Sequence, residues 1–136
     1  RGNSDLATSV ASRATEDWYM RQSESTDGGR TWSEARKTPI WGYPPHLLRL
    51  HNDDILVSYG HRRPPYGQRA CLSHDGGRTW DIDHEIILRD DASTLGRDLG
   101  YPATAELEPN ELLSVYYQPE TPGEKPCIQA TRWSLT

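Results

Sequence analysis

"SHDGGRTW", residues 73–80, is a near-copy of "STDGGRTW" at residues 25–32. Each position of the octapeptide has a mechanical task in a tight turn. The hydroxyls of Ser25 and Ser73 are placed to bridge the turn. The carboxylates of Asp27 and Asp75 are placed to accept its backbone N–H groups, as in Asx turns. Gly28, Gly29, Gly76 and Gly77 permit the left-handed backbone that a side chain would penalise. Trp32 and Trp80 are expected to open the following strand as apolar plates that pin the turn down. One carboxylate per turn falls far short of the roughly 6–8 oxygen ligands calcium takes. No nucleophile stands beside a base. The turn is a fastener, and no metal is expected.

Around the two copies the chain reads as strands separated by turn-rich segments. Strand-like stretches run over 6–12, 18–25, 46–50, 55–61, 69–73, 103–107, 112–118 and 127–133. Ile55, Val57 and Tyr59 alternate with Leu56 and Ser58, the period of two that a strand requires. "HNDD" (51–54) and "EPN" (108–110) are short polar connections of hairpin type. No segment keeps a helical period over ten or more residues. A second repeat overlaps the first: "GYPPHLLRLHNDDILVSY" (42–59) matches "GYPATAELEPNELLSVYY" (100–117), allowing a one-residue gap. The unit is therefore Gly-Tyr-Pro, strand, tight turn, strand, long loop, strand, Asp-Gly-Gly turn, strand. Four strands recurring every roughly 40–50 residues is the signature of propeller blades.

Composition narrows the partners. The 136 residues contain no Phe and only 34% hydrophobic residues, while Trp (5) and Tyr (7) supply the large apolar groups, which suits half-buried strands. A net charge of −5 argues against nucleic acid, whose phosphates need a basic footprint. No apolar run approaches the roughly 18 residues that span a bilayer as a helix. Cys71 and Cys127 are too few for a disulfide framework and read as two free strand thiols. The sequence opens on Arg1 rather than Met, so no localisation is read from it.

The pattern Ser-x-Asp-x-Gly-x-Thr-Trp resembles the Asp-box of the sialidase, or bacterial neuraminidase repeat, superfamily. The Gly-Tyr-Pro stretches are similar to its sialidase-like members, and the likeness covers nearly the whole chain. The resemblance implies an all-β partial six-bladed β-propeller with four-stranded antiparallel blades. A single domain over 1–136 would hold blade 1 at about 6–40, blade 2 at about 41–90 and blade 3 at about 100–136, with three, four and three strands. Ten strands are under half of the roughly 24 in a closed propeller. The open edges then call for a homodimer or for the remainder of the propeller.

In that family the Asp-box joins the third and fourth strands, away from the active site. The functional surface implied here is the opposite set of loops: 13–17, 40–46, 60–69, 89–102 and 118–126. The resemblance implies a sialidase-like glycoside hydrolase for an acidic or terminal sugar, with arginines gripping the substrate carboxylate, a tyrosine nucleophile and a carboxylic acid/base. Arg63 and Arg97 are the candidate anion clamp, with Arg62 and Arg69 behind them. Asp98 is the candidate acid/base or sugar-hydroxyl acceptor, and Tyr101 the nucleophile or a platform. Tyr43, Tyr66 and His61 complete the substrate-binding set, with His61 and His46 also readable as packing or hydrogen-bonding residues. No cofactor is implied. Two features depart from the family pattern. Its Arg-Ile-Pro motif is absent, the residues after Tyr43 reading "PPH", and the loop "HRRPPYGQ" (61–68) carries no acid. A non-catalytic carbohydrate-binding propeller, with Trp41, Tyr43, Tyr66 and Tyr101 as stacking plates, and an interaction scaffold stand as alternatives.

Overall fold

The computed structural model describes residues 5–9, 17–92 and 97–136. The chain is all-β, and its described strands form three antiparallel sheets in sequence order. Sheet 1 holds β1 (Asp5–Ser9), β2 (Tyr19–Ser25) and β3 (Arg36–Trp41). Sheet 2 holds β4 (Pro45–Arg49), β5 (Ile55–His61), β6 (Gly67–Ser73) and β7 (Ile86–Arg89). Sheet 3 holds β8 (Gly100–Glu108), β9 (Glu111–Gln118) and β10 (Cys127–Ser134). This is the tally of three, four and three strands read from the sequence. A 3-10 turn, Ile82–His84, precedes β7. The short β4–β5 and β8–β9 connections turn on Asp53 (φ 70°) and Asn110 (φ 68°), residue types that tolerate the left-handed region.

β5 explains how the sheets stack. All seven of its residues are buried, because both of its faces are covered. Ile55, Val57 and Tyr59 meet Met20 and Ile40 of sheet 1, together with Cys71 and Trp80. Leu56 faces the other way into a cluster with Leu50, Ala70 and Leu112, which joins sheet 2 to sheet 3. Each such Leu, Ile or Val contributes about 1.5–3 kcal/mol on full burial. Polar groups in the second layer are paired: the Thr104 hydroxyl donates to Ser58 Oγ at 3.0 Å and lies 2.8 Å from Ser114 Oγ, which accepts from Trp133 Nε1 at 2.9 Å.

The repeated octapeptide builds the same turn twice, between β2 and β3 and between β6 and β7. The Ser25 hydroxyl accepts from Gly29 N at 2.9 Å and donates to Asp27 Oδ1 at 2.9 Å. Asp27 in turn accepts from Thr31 N at 2.9 Å and from its hydroxyl at 2.6 Å. Ser73, Gly77, Asp75 and Thr79 repeat the network at 2.9, 2.8, 2.9 and 2.6 Å. The Thr79 and Thr31 hydroxyls, their backbone N–H groups and the serines hold both carboxyls down at about 2. The tryptophans depart from expectation. Neither opens a strand, since β3 begins at Arg36 and β7 at Ile86. Trp80 is 6% exposed, whereas Trp32 is 46% exposed and donates only to Gly29 O, at 3.1 Å. The difference lies in sheet 1. The fully buried Gln22 accepts from Trp80 Nε1 at 2.9 Å and donates to Gly77 O at 2.7 Å, and Arg36 Nη2 donates to the same carbonyl at 2.6 Å. The second turn fastens sheet 2 to sheet 1 as well as closing its own hairpin.

Candidate functional site

Strand order fixes two unlike ends. The two Asp-Gly-Gly turns share one end with the short β4–β5 and β8–β9 connections. The other end gathers the links β1–β2, β3–β4, β5–β6, β7–β8 and β9–β10, which are the loops singled out from sequence. Of those loops, residues 13–16 and 93–96 lie outside the described residues.

A run of aromatic rings and guanidinium groups crosses this end from sheet 1 to sheet 3. Trp18 stacks on Tyr43 with centroids 5.2 Å apart. The Arg62 guanidinium lies 4.9 Å from the Tyr43 ring and 5.7 Å from the Tyr101 ring, so it sits between the two Gly-Tyr-Pro repeats. Tyr101 stacks on Tyr117 at 5.8 Å. Beside this row, Trp41 meets Tyr43 edge-on at 6.4 Å, and Arg63 lies over the Trp41 ring at 4.1 Å. Cation–π contacts of this kind contribute about 0.5–2 kcal/mol each.

Glycines make the arrangement possible. A Cβ on Gly60 would lie 2.9 Å from the Tyr43 carbonyl and 3.0 Å from Gly100 Cα. Only a bare Cα lets sheets 2 and 3 approach closely enough for Arg62 to reach both tyrosines. Tyr43 N donates to Gly60 O at 3.0 Å and fixes the first ring. Trp18 (φ 59°) and Tyr101 (φ 50°) both hold left-handed backbone, costly for bulky residues and concentrated at functional sites in general. Arg62 Nε is buried with no hydrogen-bond partner among the described residues. The Tyr117 hydroxyl is pushed up first by burial and then by the nearby Asp98 carboxylate.

The residues expected from sequence are thus sorted. Arg62, Arg63, Tyr43 and Tyr101 come together, and the Asp98 carboxylate lies near Tyr117. Arg97 is exposed at the same end. Tyr66 is half-buried and its carbonyl accepts from Ala92 N at 3.0 Å, tying the β5–β6 loop to the chain beyond β7. Two candidates face elsewhere. His61 is 3% exposed, its Nδ1 2.9 Å from Pro65 O and its ring edge-on to Trp41, and burial pushes its pKa down; it packs rather than binds. Arg69 pairs with Glu85, which also accepts from the buried Tyr59 hydroxyl, so its charge is spent inside sheet 2. Its place in a strand, between Gln68 and Ala70, was the available signal. His46 likewise packs, its Nδ1 accepting from Thr104 N at 3.3 Å. Trp18 and Tyr117 were not singled out from sequence. Tyr117 stands in "VYY", where alternation turns one tyrosine inward and the next outward, and that was its signal.

No protein-family model matches the chain, and no curated protein matches it. The chain is similar to a solved structure, a protein of unknown function from Dyadobacter fermentans DSM 18053, at 31% identity and a TM-score of 0.82. The match covers 98% of this chain and 35% of that one, so the three sheets correspond to about a third of the longer protein.

Proposed function

We propose that the three sheets are blades of a sialidase-type six-bladed β-propeller and that the loop end binds carbohydrate. The propeller reading is supported by two Asp-box turns closing the last hairpin of successive sheets, and by sheets that stack face to face in chain order. The binding reading rests on one observation above the others: the unbroken row Trp18–Tyr43–Arg62–Tyr101–Tyr117. Sugar rings present apolar C–H faces that lie on aromatic plates and hydroxyls that accept from guanidinium N–H groups. Arg62 and Arg63 also favour a carboxylate on the sugar, because charge-assisted bonds are the strong ones.

The test is calorimetric titration with an acidic and a neutral monosaccharide. Arg63→Ala should weaken the acidic sugar about ten- to a hundredfold, the effect of losing a charged hydrogen bond of about 1.5–3 kcal/mol, and should barely change the neutral one. Equal losses would overturn the acidic-sugar reading, and no binding of either would overturn the site.

A second reading, hydrolysis, is favoured by an acid near a stacked tyrosine pair: the Asp98 carboxylate lies close to Tyr117, whose ring stacks on Tyr101. Here Asp98 would carry the acid/base role and one of the two tyrosines the nucleophilic one. A chromogenic acidic glycoside decides it: turnover lost in Asp98→Asn supports hydrolysis, and absence of turnover in the parent leaves binding alone.

A further inference from the structure

The chain's five histidines fall into two chemical groups. Four set Nδ1 against an oxygen that accepts: His61 against Pro65 O at 2.9 Å, His51 against Glu106 at 2.6 Å, His74 against Asp54 at 2.9 Å and His84 against Asp81 at 2.9 Å. A protonated ring keeps all four contacts. His46 is the exception, because its Nδ1 accepts from the Thr104 N–H at 3.3 Å. That bond requires a bare Nδ1 and leaves the ring proton on Nε2. A proton added at Nδ1 would set two donors face to face.

The bond joins equivalent points of the two Gly-Tyr-Pro repeats. His46 stands three residues after Tyr43 on β4, and Thr104 three residues after Tyr101 on β8. β8 is an edge strand of sheet 3, and this N–H is spent on sheet 2. Thr104 is 5% exposed, and its hydroxyl meets Ser58 on β5, the cross-strand partner of His46, and Ser114 on β9. The charged groups of this seam are engaged elsewhere. Glu106 is taken by His51 toward the turn end, Asp91 by Arg89 beside Gln118, and Asp98 lies near Tyr117, while Arg62 sits between the two tyrosines.

We infer that His46 and the Thr104 N–H form a proton-sensitive latch between sheets 2 and 3. Neutral, His46 holds the repeats at the spacing that sets Gly60 against Gly100 and Arg62 between Tyr43 and Tyr101. Protonated, it gives up the Thr104 N–H and loosens that spacing. Burial pushes the pKa of His46 down from the ordinary value of about 6.5, in keeping with a ring required neutral. The stability it contributes is therefore present above about pH 6.5 and is lost as pH falls below that value through the folded one. Sugar affinity on the row would fall over the same window, a consequence that rests on the binding reading; the latch itself is read without sugar.

NMR of the nitrogen-15-labelled chain, titrated from about pH 8 to about pH 4.5, covers the range in which histidine changes charge and tests this. The His46 ring should begin with its proton on Nε2 and titrate with a midpoint below about 6.5. The Thr104 amide signal should move with the same midpoint, followed by those of Gly60 and Gly100. In His46→Asn, which has no proton to gain in this range, the three amides should lose that step. A His46 midpoint at or above about 6.5 overturns the inference. So does a ring that stays neutral throughout, one that carries its proton on Nδ1 at the start, or a Thr104 amide that stays in place while His46 titrates. A well-folded His46→Asn in which the Thr104 step persists overturns it as well. Should that variant fail to fold, the paired titrations of His46 and Thr104 in the parent decide alone.

Discussion

Replacing Gln22 with Leu removes the clasp between sheets 1 and 2 while keeping a side chain of similar bulk. Gln22 is fully buried, and its two bonds to the neighbouring sheet reach Trp80 Nε1 at 2.9 Å and Gly77 O at 2.7 Å. The Gly77 carbonyl keeps Arg36 as a donor at 2.6 Å, so its loss is small. The Trp80 N–H has no such substitute and is left buried and unpaired, which costs about 1–3 kcal/mol. With a urea dependence of about 1–3 kcal/mol per molar for a chain of this size, the unfolding midpoint should fall by roughly 1 M. Far-UV circular dichroism follows the transition without relying on the mutated indole. The partner substitution Trp80→Phe deletes the orphaned donor. The double variant should therefore be more stable than the two single losses added together, by about 1 kcal/mol. A Gln22→Leu midpoint equal to the parent's, or single effects that simply add, would refute the clasp.

The two copies of the octapeptide should respond unequally. Trp80→Ala, at 6% exposure, should cost about 3–5 kcal/mol, and Trp32→Ala, at 46%, about 1 kcal/mol or less, both read by urea unfolding. Asp27 and Asp75 are held at about 2, below the ordinary carboxylate value of about 3.9. Their contribution is present above about pH 4 and is lost as pH falls through about 2, so stability should drop over that window. In Asp75→Asn the drop should be shallower, as acid titration by circular dichroism would reveal. Cys71 is buried and its thiol is pushed up to about 12, first by burial, whereas Cys127 is exposed. A thiol reagent should find one group in the native chain and two after denaturation.

The sheet content was legible because strands, turns and repeats are local properties. Alternation in "ILVSYGH", the paired turn residues and the doubled octapeptide all act within a few residues of themselves. The inter-sheet contacts were less legible. Gln22 lies in a strand whose neighbours are Arg21 and Ser23, and nothing in "YMRQSES" distinguishes a buried clasp from a solvated amide. Its partner stands far along the chain at Trp80. The fate of Trp32 and Trp80 differs for the same reason: identical octapeptides meet different neighbours. In the loop "GHRRPPYGQR" the sequence presents three arginines alike. Packing separates them, sending Arg69 to Glu85 inside the sheet and Arg62 between the two repeat tyrosines. The loops at the site end were legible as a group from strand order, while the row from Trp18 to Tyr117 needs the close approach of Gly60 to Gly100, which only the folded chain supplies.

Binding of sugar on the aromatic–guanidinium row at the loop end, as proposed, has built-in reporters in the chain's five tryptophans. Trp18 and Trp41 stand in that cluster, whereas Trp32 and Trp80 belong to the turns at the opposite end of the sheets. The indole N–H signals of the nitrogen-15-labelled protein, followed by NMR during titration with an acidic monosaccharide, separate the two ends directly. With sugar on the row, the Trp18 and Trp41 signals should shift in a saturable way while those of Trp32 and Trp80 stay in place. Shifts confined to Trp32 and Trp80, or no shift at any indole up to saturating sugar, would contradict it.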